Sequence, residues 1–312
     1  MIRRLACVFA GLVLTVPGTA SAADAKLDKI ARTVVMTAFS PEYAALEGSV
    51  EDRRSWTING MTLLTGKLAG KPVVLMQSGV SEVNAAMNTQ MVVDRFAVRR
   101  IVFSGIAGGV DPSLSIGDVV VPEQWGQYLE ASFARATSKG WQPPETFPGA
   151  PANWQFIYPR GTTVTRADAP PQRFFTMAAD PALVALARKV VPAIKLSACA
   201  EAVDREAKAS PLCLPAAPRV VVGGTGVTAG IYADNAEFRQ YLASAWHARV
   251  LDMESAAVIQ VAYANSVPAI VFRSLSDLAG GDADANRMNT FMHLASINSA
   301  KVVRAYLAAL PD

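Results

Sequence analysis

Histidine is almost absent from this 312-residue chain, which carries two, His247 and His293, and cysteine is scarce at three. So few imidazoles and thiols make no convincing ligand set, and neither a metal site nor any other cofactor is expected. Charge is also thin, at 18% of residues against 51% hydrophobic ones. Such a chain is globular and able to bury a large core, not disordered. The formal net charge is only +3. That near-neutrality argues against nucleic acid as a partner.

The N-terminus holds what basic character there is. Residues 1–22, MIRRLACVFAGLVLTVPGTASA, combine Arg3 and Arg4, an apolar stretch from Leu5 to Val16, and the small-x-small ending Ala20-Ser21-Ala22. This pattern predicts a cleaved secretory signal peptide and a periplasmic or secreted protein. The apolar run is too short to span a bilayer comfortably, so no stable membrane anchor is expected after cleavage. Cys7 lies too near the start to follow a full apolar region, which argues against lipidation. Cleavage removes two arginines and no acids, and the charge falls to +1. It leaves Cys199 and Cys213, for which an oxidising compartment favours a disulfide; the alternative is two unpaired buried thiols.

From Ala31 onward, short β-branched runs alternate with helical patterns. This predicts a single α/β domain over 23–312, a mixed and mostly parallel central sheet flanked by helices. Expected strands are 33–39, a hairpin over 61–80, 99–110 running into a glycine turn, 116–125, 218–230, 248–254 and 267–277. Expected helices are 81–97 with Ser81 as N-cap, 181–191, 235–246, 255–265 and 289–310. Residues 126–172 hold seven prolines and several aromatics without periodicity, and are read as a surface insertion.

Ligands of open α/β sheets gather beyond the carboxyl ends of the strands. Those ends deliver Glu42, the stretch SGIAGG (104–109), Thr225 to Val227, Met253 with Glu254, and Arg273, Ser276 and Asp277. SGIAGG allows close backbone approach, at Gly105, Ile106 and Ala107, to an anion or a sugar oxygen. It equally suits a plain strand-to-helix turn, and no Lys-Ser/Thr follows to make it a phosphate loop. Glu254 is either a first-turn helix acid or a carboxylate for a vicinal diol. Asp277 and Glu42 admit similar double readings.

Their combination is more specific. SGIAGGVDPSLSIGDVVVPEQ (104–124), LDMESAAV (251–258) and VPAIVFRSLSD (267–277) resemble, in order, three signature stretches of the nucleoside phosphorylase and nucleosidase superfamily. The resemblance spans about residues 31–310 and is strongest to methylthioadenosine/S-adenosylhomocysteine nucleosidases and exported relatives such as bark storage proteins. It implies a purine nucleoside N-ribosyl hydrolase and a homo-oligomer, in the simplest form a dimer. Alternatives are a phosphate-dependent phosphorylase and a non-catalytic nucleoside-binding or storage protein.

The resemblance also implies roles. Glu42 polarises the attacking water, with Arg273 beside it. Glu254 holds the ribose 2′- and 3′-hydroxyls, with Met253 packed on the sugar. Asp277, next to Ser276, assists protonation of purine N7. Two positions depart from the pattern: Ile106 stands where a hydroxyl residue is common, and Val227 where an aromatic stacks on the base. Tyr232, Trp125, Tyr128, Trp154 and Phe156 are candidate replacements for that ring. Asp252 is expected to point away and is assigned no role.

Overall fold

The computed structural model describes residues 26–200 and 212–311. The expected signal peptide lies outside the described residues. Within them one large mixed sheet of twelve strands organises the chain, flanked by helices. Its middle is the strand Phe96–Gly109, which contains the glycine motif. Its apolar middle, Ile101 to Phe103, is fully buried among neighbouring strands that are likewise apolar. Strands buried on both faces carry such continuous apolar runs.

Pairing along this strand creates the cleft described below. On one edge it pairs in parallel with Ala269–Asp277 from Ile101 to Gly108. On the other it pairs in parallel with Asp28–Thr37 only as far as Phe103. That edge is taken up again at Gly108 and Gly109 by the antiparallel strand Ala248–Asp252. The first strand and the antiparallel one thus run toward each other along one edge, and Ser104 to Ala107 lie in the gap between their carboxyl ends. SGIAGG is therefore extended strand, not the expected glycine turn, and it exposes backbone polar groups because a neighbour is missing there.

Other expectations are adjusted. A strand at Glu51–Ile58 extends the 61–77 hairpin at the sheet edge. Its residues are mostly exposed, so its sequence has no apolar alternation to detect. The expected strand 116–125 is two, Val119–Val121 and Gln124–Gln127, and 218–230 is likewise Val220–Val222 and Thr225–Thr228. Helices at Glu82–Arg95, Pro181–Val190, Ala236–Ala245, Ser255–Ala264 and Met288–Ala309 agree with expectation within two residues at each end. Ser81 precedes its helix but makes no side-chain cap.

The proline-rich stretch is not featureless. It folds into small antiparallel pairs, Ala131–Phe133 with Ile157–Pro159, Arg135–Thr137 with Gly140–Gln142, and Thr162–Arg166 with Ala169–Phe174. Cys199 and Cys213 form a disulfide between two short strands.

Candidate active site

The gap opens into a cleft of about 740 Å³, its open mouth included. It is lined by residues from four strand ends, among them Glu42, Ile106, Ala107, Asp252, Met253, Glu254, Ser276 and Asp277.

Glu42 enters from the first turn of the helix Ser40–Glu47, directly after the first strand. One carboxylate oxygen accepts from the backbone N–H of Ala38 (2.6 Å) and the other from that of Ile106 (2.7 Å). The Ile106 amide is available because the strand edge is unpaired there. Burial raises the Glu42 pKa, against the pull of Arg273 and these amides.

Glu254 sits at the foot of the helix Ser255–Ala264. It accepts from the Ser81 N–H at 2.9 Å. Ser81 has φ +81°, a left-handed conformation that costs a non-glycine residue free energy and aims this amide at the carboxylate. Burial pushes the Glu254 carboxyl up, Arg273 opposes, and Asp252 reinforces the rise.

Arg273 lies behind the cleft wall, fully buried, with its guanidinium 4.2 Å from the Phe103 ring centre. In register it faces Gly105. A Cβ at Gly105 would stand 1.9 Å from Arg273 Nη1 and 2.7 Å from Glu42 Oε1, so only glycine lets the cation reach this position. Arg273 contacts Asp252 at 2.7 Å, Glu254 at 3.4 Å and Glu42 at 3.8 Å. Asp252 therefore points into the cluster, contrary to expectation. Thr228 donates to it at 2.6 Å, and the Ser255 hydroxyl donates to its other oxygen.

Asp277 occupies the other end. It accepts from Ser276 Oγ (2.8 Å), the Ala279 N–H (2.8 Å) and Asn286 Nδ2 (3.3 Å). Burial raises its pKa, which favours the protonated form that can donate a proton. Asn286 also receives a hydrogen bond from Tyr232 OH at 2.8 Å.

The base-side aromatic is resolved differently from its alternatives. Val227 does not line the cleft: it is fully buried in a core cluster with Tyr128 and Trp246. Trp125 is buried, Trp154 packs on Phe238 and Tyr241, and Phe156 packs on Phe133 and Trp141. Tyr232 does line the cleft, at its mouth and half-exposed. Gly105 lies beneath the wall, not on it. Asp252, Ser81, Thr228 and Asn286 escaped sequence reasoning. For Asp252 a signal existed: residues two apart on an extended chain share a face, so Asp252 and Glu254 belong together.

A mixed sheet with facing strand ends and buried carboxylates on either side of a glycine strand defines an α/β enzyme-type cleft. The chain belongs to the phosphorylase superfamily, whose family model matches residues 32–308. It is similar to the 5′-methylthioadenosine/S-adenosylhomocysteine nucleosidase of Mycobacterium bovis, with 28% identity over 88% of this chain and 96% of that protein. The protein of the same name from Pseudoalteromonas translucida is also 28% identical, over 88% of this chain and 96% of its own. Among solved structures, the Streptococcus pneumoniae nucleosidase bound to a transition-state inhibitor superposes with a TM-score of 0.64 at 21% identity, covering 90% of this chain and all of that one. Helicobacter pylori futalosine hydrolase superposes with 0.63 at 20% identity, covering 90% and 99%. These two share the fold.

Proposed function

We propose that this protein is a nucleosidase that hydrolyses the N-glycosidic bond of purine nucleosides of the methylthioadenosine/S-adenosylhomocysteine kind, with water as nucleophile. The names of its curated relatives support the activity, and the cleft's charge supports the choice of water. Four carboxylates, Glu42, Asp252, Glu254 and Asp277, line the cleft, and none of its described lining residues is Lys, Arg or His. Arg273 stands behind the wall, already engaged by three acids. A phosphate dianion brought there would find carboxyl groups and no cationic side chain among the described lining residues, with the one nearby guanidinium already held behind the wall.

In this mechanism Glu254 accepts hydrogen bonds from the ribose hydroxyls, and Met253 packs on the sugar. Glu42 polarises a water toward the anomeric carbon as positive charge builds on the ring. Asp277, protonated, delivers its proton to purine N7, and the base leaves neutral. The carbon–nitrogen bond breaks, a carbon–oxygen bond to water forms, and the proton that water loses passes to Glu42, so that one proton is taken up there for the one Asp277 gives to the base.

Glu42 and Asp277 stand in the cleft beside Glu254, and a binding or storage protein has no evident use for that acid pair, which favours catalysis over storage. Product analysis on methylthioadenosine, adenosine and inosine, with and without inorganic phosphate, tests the reading. Free base and free sugar without phosphate are expected; strictly phosphate-dependent turnover overturns the choice of water, and binding without turnover overturns the enzyme.

We also propose export after removal of residues 1–22 and a homodimer. Val80 and Ile231 are exposed apolar residues of the cleft lining, and Val83 (79% exposed) and Met87 add exposed apolar side chains on the helix Glu82–Arg95 that follows Val80, as a subunit contact needs. Sedimentation of the mature chain and N-terminal sequencing of the exported protein check these two points.

A further inference from the structure

Three buried carboxylates share one guanidinium, yet they do not share it equally. Asp252 has the closest contact, 2.7 Å from Arg273 Nε, against 3.4 Å for Glu254 and 3.8 Å for Glu42. It is also the best supplied with donors. Thr228 Oγ1 donates to Oδ1 at 2.6 Å, the Ser255 and Glu254 amides approach the same atom at 3.2 and 3.3 Å, and the Ser255 hydroxyl donates to Oδ2. The same hydroxyl accepts from Arg273 Nη2 at 2.9 Å and Nε at 3.1 Å, so Ser255 bridges acid and cation. Thr228 Oγ1 in turn accepts from the Ala256 N–H at 3.0 Å, which anchors the assembly to the helix Ser255–Ala264.

We propose that Asp252, braced by Thr228 and Ser255, is a positioning residue that holds the Arg273 guanidinium by its Nε edge and so sets how much of that cation Glu42 and Glu254 receive. The geometry requires a holder of this kind. The Nη1 side of the guanidinium lies against Gly105 and the Ile106 carbonyl (3.3 Å) and faces Glu42, while Nη2 faces Glu254. Among the described residues its closest carboxylate is at the Nε edge, where Asp252 stands at 2.7 Å. With the cation drawn to Asp252, both glutamates remain loosely paired, and burial raises their pKa values. Without Asp252, the guanidinium is free to approach them and one negative charge disappears, so both carboxyls titrate at lower pH.

The groups facing Asp252 are few. Beyond Arg273 and Glu254 they are Glu82 and Tyr128, both of whose pKa values its charge helps to raise. Glu82 therefore needs its own control.

This inference rests on the nucleosidase reading for its kinetic consequence but not for its titration consequence, and the test separates them. The full mature chain is compared with Asp252→Asn, with and without a background Glu82→Gln change. Thermal stability is followed without substrate between about pH 5 and about pH 8. A carboxyl whose folded pKa is raised contributes stability at acid pH and loses it as pH rises through that value. The unsubstituted protein is therefore expected to lose stability across this range, and Asp252→Asn to lose less. Turnover of methylthioadenosine is expected to fall about ten- to a hundredfold in kcat with KM little changed, since a small displacement of a positioned group has this size of effect. The acid limb of its pH profile is expected to move down by about one unit.

Parallel stability curves for the two proteins would overturn the proposal. Flattened curves with no turnover by either protein would support it and sink the nucleosidase reading instead. Ser255→Ala serves if Asp252→Asn does not fold: it keeps all charges, loosens the grip and is expected to flatten the curve in the same direction, while an unchanged slope counts against the proposal.

Discussion

The two ends of the cleft hold their acids by different physical means. At the sugar end, Glu42 and Glu254 are steadied by amides from Ile106 and Ser81 and share a buried cation with Asp252. At the base end the donors to Asp277 among the described residues are neutral: Ser276, the Ala279 amide and Asn286. A cation favours the ionised form and neutral donors do so more weakly, while burial disfavours it at both ends. In the proposed mechanism Glu42 and Glu254 act as acceptors and Asp277 as a proton donor, while burial raises the pKa of all three carboxyls.

Removing the cation should break the comparison most severely. Arg273→Met leaves three buried carboxylates with no counter-charge, and a loss of about 3–5 kcal/mol in stability by urea unfolding is expected. Next comes the base end. Asp277→Asn is expected to lower kcat on methylthioadenosine about a hundred- to ten-thousandfold, the usual range for a lost proton donor, with substrate binding by calorimetry retained. Turnover within a few-fold of the unsubstituted protein would remove Asp277 from the leaving-group role.

Asp277 also predicts a pH signature. Its folded pKa is raised, so its contribution to stability is present at acid pH and is lost as pH rises through the raised value. Relative to the unsubstituted protein, Asp277→Asn should gain stability as pH rises above about 4 and level off once the Asp277 carboxyl has ionised, read in thermal melts. A smaller effect probes the wall between the two ends. Gly105→Ala places a methyl 1.9 Å from Arg273 Nη1, and about 1–3 kcal/mol of destabilisation with reduced kcat is expected, whereas Gly108→Ala meets its nearest neighbour only at 3.0 Å and should cost less. Smallest of all, Asn286→Ala removes one 3.3 Å bond from Asp277 and should reduce kcat about threefold to tenfold while leaving the sugar end intact.

Much of the fold was legible because it rests on local pattern. Apolar strands alternating with amphipathic helices identify an α/β sheet, and helices ending within two residues of expectation reflect the strength of a repeating periodicity. The strand Glu51–Ile58 was missed because its side chains are exposed and no alternation marks it. Glycines in SGIAGG suggested a turn because glycine is the usual turn residue. Their real use is steric, since Gly105 admits the guanidinium.

The site divides in the same way. Glu42, Glu254, Arg273 and Asp277 were legible only together, through motifs that resemble the superfamily, because each acid alone admits an ordinary first-turn or capping role. Asp252 was passed over because its neighbour Met253 carried the motif, although period-two geometry puts it beside Glu254. Ser81, Thr228 and Asn286 carry no such mark: a serine amide, a threonine hydroxyl and a loop asparagine gain meaning only from what they touch. Val227 matched a motif position and yet is fully buried in the core cluster that also holds Tyr128 and Trp246.

Read alone, the chain specified its fold class, the order of its motifs and which acids stand at the ends of its strands. Those are properties of composition and near-neighbour periodicity, which each short segment carries with it. Tertiary structure decided which acid grips the arginine, which amides face the cleft and where the sheet edge is left open. These depend on contacts between residues far apart in sequence, such as Ser81 with Glu254 or Gly105 with Arg273, and on differences of about an ångström that set how one buried charge is divided among three.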